Sequence, residues 1–235
     1  MFEAIDAAIS VALNAGVGSS PGFDSLVFQV SQNHLLKCAP PVTAVWFLWW
    51  TRQQAADRDR RQAALLMVLA ACFLTMGIVR ALTRLLPFRL RPIFETELHL
   101  VKAAGMWLGN FDRASSMPSD HAGLFFALAV GLFIVSRPVG ILALLHAALM
   151  IALPRVYLGL HYASDVLVGA AIGALSAWLL TRPPAIDAAG AMAQGWVKRQ
   201  PQIAYPVLFL VTSEMAEMFE PLRNIGVWLR EMAAR

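Results

Sequence analysis

The fold class this sequence predicts is an all-α integral membrane protein: a bundle of about five to six transmembrane helices with amphipathic N- and C-terminal segments. Three observations predict it. Of 235 residues, 58% are hydrophobic and only 14% charged, where a soluble chain carries about a quarter charged residues. The apolar residues fall in blocks long enough to cross a bilayer core. Between two such blocks, 139–153 and 166–180, stands the polar stretch Arg155-Val-Tyr-Leu-Gly-Leu-His161-Tyr-Ala-Ser-Asp165. Charge at the mouth of hydrocarbon is costly and marks function.

In chain order, residues 1–34 read as two interfacial helices. They are weakly amphipathic, and Glu3 and Asp6 give them an acidic start unlike a signal peptide. The first span, 35–51, contains Pro40-Pro41 and ends in the belt Trp46, Trp49, Trp50. A charged turn from Arg52 to Arg61 precedes the second span, 62–81. Residues 82–118 form a polar excursion with a short helix expected at 95–107; a connection that long is usually functional. Asp112 and Arg113 on it read as solvated loop charges. The third span runs from Ser119 to Val135, with its first turn sunk below the interface. Ser136-Arg137-Pro138 turns the chain into the fourth span, 139–158, and the fifth is 162–180. Gly169 and Gly173 give the fifth a face for close helix packing. Residues 35–182 thus form the expected core. The segment 183–235 is expected as a cytoplasmic amphipathic tail, with a sixth span at 203–219 as the alternative.

With five spans, eleven of the nineteen Lys and Arg residues fall on the side of the 52–61 turn. The positive-inside rule makes that side cytoplasmic and turns the 155–165 stretch outward. Cys38 and Cys72 sit in or beside apolar runs, with no spacing for a disulfide framework or a metal site. A net charge of +4 without a basic stripe excludes nucleic-acid binding.

Two more polar clusters reach the outward face: Arg84 followed by Arg91-Pro92, and Pro118-Ser119-Asp120-His121. Each alone reads as interface anchoring or a helix cap. Both together with R-x5-H-x3-D, in this order and on one face, arise by accident in fewer than about one in several thousand chains. A phosphoryl group needs its oxygens neutralised, an in-line nucleophile and a proton for the leaving oxygen. Arginines, free N–H groups at a helix start and two histidines supply those parts. His146, in the fourth span, reads as a packing or inter-helix residue, and His34 and His99 match no motif.

These residues resemble the three signature motifs of the type 2 phosphatidic acid phosphatase superfamily, over roughly 84–170, and most resemble its bacterial undecaprenyl-diphosphate phosphatases. Two positions depart from the pattern. Pro154 stands where serine is usual, and Arg84 where lysine is common. The resemblance implies His161 as nucleophile through a phosphohistidine, Asp165 as the carboxylate that orients it, and His121 as general acid and then base. It implies Arg84, Arg91, Ser119, Asp120 and Arg155 on the phosphate, with the Asp120 backbone N–H mattering more than its carboxylate. No metal and no cofactor are implied. The expected function is hydrolysis of undecaprenyl diphosphate to the monophosphate in a bacterial inner membrane, with the site facing the periplasm. The partners are the lipid substrate and membrane lipids. Alternatives are a phosphatase for phosphatidic acid, phosphatidylglycerol phosphate or lipid A, a lipid phosphotransferase, and, in another class, a non-catalytic scaffold.

Overall fold

In a computed structural model, residues 2–52, 54–109 and 114–233 are described; Asp112 and Arg113 lie outside them. Every regular element among the described residues is helical. We number the helices α1 Phe2–Asn14, α2 Pro21–Gln32, α3 His34–Trp50, α4 Ala55–Leu85 and α5 Asp120–Val135. After them come α6 Arg137–Tyr157, α7 Ala163–Leu180, α8 Ala191–Arg199, α9 Pro201–Ala216 and α10 Glu220–Ala233.

Three of these, α4, α6 and α7, are long and apolar enough to cross a membrane by length and composition, and α5 is apolar but shorter. Helix α5 is the hub, packed against α4, α6 and α7. Its closest neighbour is α7, because a Cβ at Gly169 or Gly173 would strike the carbonyl oxygens of Ser119 and Gly123. Those two glycines let the backbones touch, so the start of α5 meets the start of α7. The Ser119 N–H then donates to the Asp165 carbonyl at 3.0 Å. Within α6 the helix widens into a π-turn over Ala147–Ala152, ahead of Pro154, which has no N–H to give. The widened turn re-aims Arg155 at the end of the helix.

The N-terminal helices are amphipathic with the sense of a soluble helix reversed. Asp6, Ser10 and Asn14, spaced four apart along one face of α1, are buried, while Ile5, Ile9 and Val11 point outward. In α2, Asp24 is buried and accepts from the Gly18 N–H at 2.7 Å and the Tyr157 hydroxyl at 2.6 Å. A polar inner face and an apolar outer one are what an interfacial helix needs when it lies against protein on one side and lipid on the other.

Two expectations are corrected. The helix expected at 95–107 does not form; the chain makes short 3₁₀ turns at Pro92–Phe94 and Thr96–Leu98 and is irregular beyond them. Its backbone bonds go to tertiary partners instead: Ile93 N–H to the Gly159 carbonyl at 2.9 Å, and Val101 N–H to Asn14 Oδ1 at 2.6 Å. The second correction concerns 183–235, which is built into the bundle. Helix α9 runs antiparallel to α3 along its whole length. Tyr205 stacks on Trp50 at one end, and Cys38 Sγ donates to the Ala216 carbonyl at the other. Leu208 and Met215 join the core of α3, α4 and α5. At 16 residues α9 is not among the helices long and apolar enough to cross a membrane by length and composition, although it packs along α3 from end to end. The signal against a sixth span, three glutamates, lies at or beyond the last turn of α9, where Glu217 and Glu220 reach the polar end of the bundle.

The antiparallel course of α9 along α3 brings α10 to the same end of the bundle as the 155–165 stretch, with the 52–61 turn at the opposite end. Single cysteines at Asn224 and Glu97, both exposed positions, are expected to react from one side of a sealed membrane, and one at Arg58 from the other. The native Cys38 and Cys72 are buried, 2% and 0% exposed, and stay silent. Opposite accessibility of 224 and 97 to an impermeant maleimide would overturn this course of α9. A Cβ at Gly173 forces α5 and α7 apart, so Gly173→Ala is expected to lower stability by about 1–3 kcal/mol in detergent unfolding.

Candidate active site

A cavity of about 490 Å³ opens at the end of the bundle where α3, α5, α6 and the start of α10 converge. Arg91, Asp120, His121 and Arg155 line it, with Lys37 and His34 from α3 and Glu217, Met218 and Glu220 from the C-terminal segment. Five of the residues expected from the motifs therefore meet here or just behind: Arg91, Arg155, Asp120, His121 and His161. The turn after α6 does the positioning. Gly159 takes a φ of 67°, which suits glycine, and the N–H groups of Leu160 and His161 both donate to the Arg155 carbonyl. That turn folds His161 back beside its own arginine.

His161 is 2% exposed and sits one layer behind the cavity wall. Its Nδ1 lies 2.7 Å from the Ser116 carbonyl, which can only accept, so Nδ1 carries the proton. The lone pair is then on Nε2, which faces Arg91 Nη1 at 3.2 Å. Burial, and after it the Arg91 guanidinium, hold the imidazole pKa below the ordinary 6.5. The ring is neutral at neutral pH, and Arg91, which also donates to the Leu160 carbonyl at 2.9 Å, stands next to its Nε2.

Asp165 stands beside His161 as expected, paired with it at longer range than a hydrogen bond. Its Oδ2 is 3.8 Å from His161 Nδ1, beyond hydrogen-bond reach, and accepts the Tyr162 N–H at 2.8 Å. Its Oδ1 accepts from Arg89 at 2.6 Å. Arg89 in turn donates to Asp6 at 2.7 Å and to the Ser164 hydroxyl at 2.8 Å, while Ser164 bonds Asp6 as well. A buried chain of charge thus runs from α1 to the turn that carries His161. The direct orienter of His161 is the Ser116 carbonyl, and Asp165 fixes the turn.

His121 is held by Asp120, whose Oδ1 accepts from Nδ1 at 2.9 Å and from the His121 N–H at 2.8 Å. The Asp120 carboxylate is therefore in use alongside the N–H that was expected to matter more. His121 Nε2 faces Lys37 Nζ at 3.4 Å. Arg155, 2% exposed, donates to the Ser31 carbonyl at 2.9 Å, and its Nε has no hydrogen-bond partner among the described residues. A buried donor beside a cavity calls for an acceptor there.

Two expected phosphate ligands are elsewhere. Ser119 is wholly buried, and its hydroxyl accepts from the Ala122 N–H as the N-cap of α5. Arg84 is exposed on the last turn of α4 and does not line the cavity. His146 bonds the Lys37 carbonyl at 2.8 Å, the inter-helix role expected of it. Sequence reasoning missed Lys37, Arg89, Asp6 and Ser116. Lys37 carried the signal that drew attention to Arg155, a charge at the edge of an apolar run. Arg89 and Asp6 carried none, because their pairing joins segments 83 residues apart. Among the described residues no three His, Cys, Asp or Glu side chains converge as metal ligands would.

Asp6→Asn leaves Arg89 with one anionic partner fewer. It is expected to lower kcat by about tenfold with KM little changed, since Asp6 touches no substrate. Arg89→Met, which frees Asp165 and Asp6 together, is expected to lose more than Asp6→Asn.

The chain matches the family model described as the PAP2 superfamily over residues 86–185. It is 40% identical over 63 residues to the bacitracin transport permease protein BcrC of Bacillus licheniformis, covering 27% of this chain and 30% of that protein's length. It is 26% identical over 183 residues to the protein named "Putative undecaprenyl-diphosphatase YbjG" of Escherichia coli (strain K12), covering 77% of this chain and 84% of that protein. No solved structure matches it. The matched segment contains Arg91, His121 and Arg155, which line the cavity, and His161 just behind it, so over this segment the all-helical chain is similar to the PAP2 superfamily.

Proposed function

We propose that the protein is a lipid phosphatase that converts undecaprenyl diphosphate to the monophosphate and phosphate, recycling the carrier lipid. The observation that carries the reading is the neutral His161, its Nε2 lone pair set beside Arg91 behind a cavity lined by Arg155 and His121. The name of YbjG, aligned over most of its length, supports the choice of lipid.

The terminal phosphoryl group enters against Arg91 and Arg155, whose guanidiniums offset the charge on its oxygens. It takes over the Arg91 N–H now turned to Nε2, which frees the lone pair for in-line attack. The N–P bond forms as the P–O bond to the leaving group breaks, giving a phosphohistidine. The leaving group of a diphosphate departs as a phosphate anion, and His121 then takes a proton from the water that splits the N–P bond. The arginines supply the charge that a metal would, so the reaction is proposed to be metal-independent.

Orientation belongs to the same reading. With α10 at the site end, eight Lys and Arg remain at the opposite end, among them Arg52, Arg58, Arg60 and Arg61 of one short turn. Short loops dominate the positive-inside rule, which places that end in the cytoplasm and the cavity at the periplasmic face of a bacterial inner membrane.

Purified protein in detergent is expected to release phosphate from undecaprenyl diphosphate faster than from phosphatidic acid or phosphatidylglycerol phosphate, and equally in EDTA. No preference for the diphosphate sinks the carrier assignment, and loss in EDTA sinks the metal-free mechanism. His161→Ala is expected to lower kcat by about 10⁴-fold or more, and His121→Ala to trap ³²P on His161. The nucleophile is active when neutral, so activity falls as pH drops through the lowered pKa. The acid limb of kcat/KM is therefore expected below pH 6.5. A limb above that value would mean another group titrates.

A further inference from the structure

Lys37 lies outside the three motifs and meets His121 from α3. Its side chain lines the cavity although the residue is only 3% exposed. Among the described residues its ammonium has one hydrogen-bonding partner, His121 Nε2 at 3.4 Å, and no carboxylate within 4.0 Å. The other charged groups lining the cavity are accounted for. Arg91 and Arg155 face the phosphoryl position, Asp120 is committed to His121, and Glu217 and Glu220 are exposed at the rim. A buried ammonium held only by an imidazole is costly unless an anion completes it.

The chemistry of the leaving group says which anion. A lipid monophosphate must expel an alkoxide, which needs a proton more than it needs a cation. A lipid diphosphate expels a phosphate monoester, whose second pKa is about 6, so it departs as an anion and needs a cation more than a proton. The ammonium donated toward His121 Nε2 keeps that nitrogen unprotonated, which suits the second case and hinders the first.

We propose that Lys37 binds the inner phosphoryl group of a lipid diphosphate and so makes the site selective for diphosphates over monophosphates. This rests on the phosphatase reading above. In the step, His161 Nε2 bonds to the terminal phosphorus and the bond from that phosphorus to the bridging oxygen breaks. The electron pair stays on the bridging oxygen, now part of the lipid monophosphate, and Lys37 offsets its charge. Water then attacks the phosphohistidine, His121 Nε2 takes its proton, and the N–P bond breaks to release phosphate.

The test uses full-length protein in detergent, with farnesyl diphosphate and farnesyl monophosphate as substrates. Lys37→Met is expected to lower kcat/KM for the diphosphate about 100-fold, the loss typical of one transition-state donor, and for the monophosphate by less than about tenfold. Lys37→Arg, which keeps the charge, is expected to restore most of the ratio. Equal losses on both substrates, or no loss on the diphosphate, overturn the assignment. A measurement on the unsubstituted protein guards against a variant that fails to fold: inorganic pyrophosphate is expected to inhibit at least about 100-fold more tightly than inorganic phosphate. Equal inhibition overturns the second phosphoryl site. Should the unsubstituted protein hydrolyse the monophosphate and leave the diphosphate intact, the carrier-lipid reading fails and the Lys37 assignment with it. Diphosphate hydrolysis with an unchanged ratio removes Lys37 alone.

Discussion

Backbone touching backbone between α5 and α7 is the constraint on which the site depends. Gly169 and Gly173 bring α7 against the first two turns of α5, and that contact fixes the distance between the turn carrying His161 and the turn carrying His121. Lipid supplies no hydrophobic drive for helices to associate, so close packing of small residues does that work. The Ser119 N–H bonded to the Asp165 carbonyl shows how near the two turns come. With a side chain at either glycine, the two histidines could not face one cavity.

Around that contact the bundle solves a problem of charge. Arg91, Arg155, His161 and Asp165 are all under a tenth exposed, in a setting where an unpaired ion is expensive. Each is held by groups from a different part of the chain: Ser31 on Arg155, Leu160 on Arg91, Ser116 on His161 and Arg89 on Asp165. The excursion between α4 and α5 contributes two of these four partners, which is why it is long and why it is irregular. A helix there would have spent its carbonyls on itself, and Ser116 would have had none to offer His161.

How much of this was legible in the sequence depends on the range of each interaction. The crossing helices α4 to α7 are written in local composition, and so are the helix-start residues Ser119 and Asp120. Arg91, His121, Arg155 and His161 stood out as polar residues at the edges of apolar runs, and they do converge. Arg84 stood out by the same signal and does not, because a helix end offers both a buried and an exposed face and spacing cannot tell them apart. Asp6 and Arg89 gave no local sign, since their meaning lies in a pair formed across the fold. The C-terminal segment misled for a third reason. Its glutamates read as a surface face when averaged over 203–233, whereas they cluster where a helix packed along the bundle ends at a polar cavity.

Helix α1 carries this arrangement one step further. Its inner face holds Asp6 against Arg89, and its outer face presents Ile5, Ile9 and Val11. Pressure from the acyl chains on the outer face and attraction between ions on the inner one act on the same short rod. The bilayer is thus a mechanical part of the electrostatics: the lipid that surrounds the protein presses into place the acidic group that steadies Arg89 and, through it, the turn carrying His161.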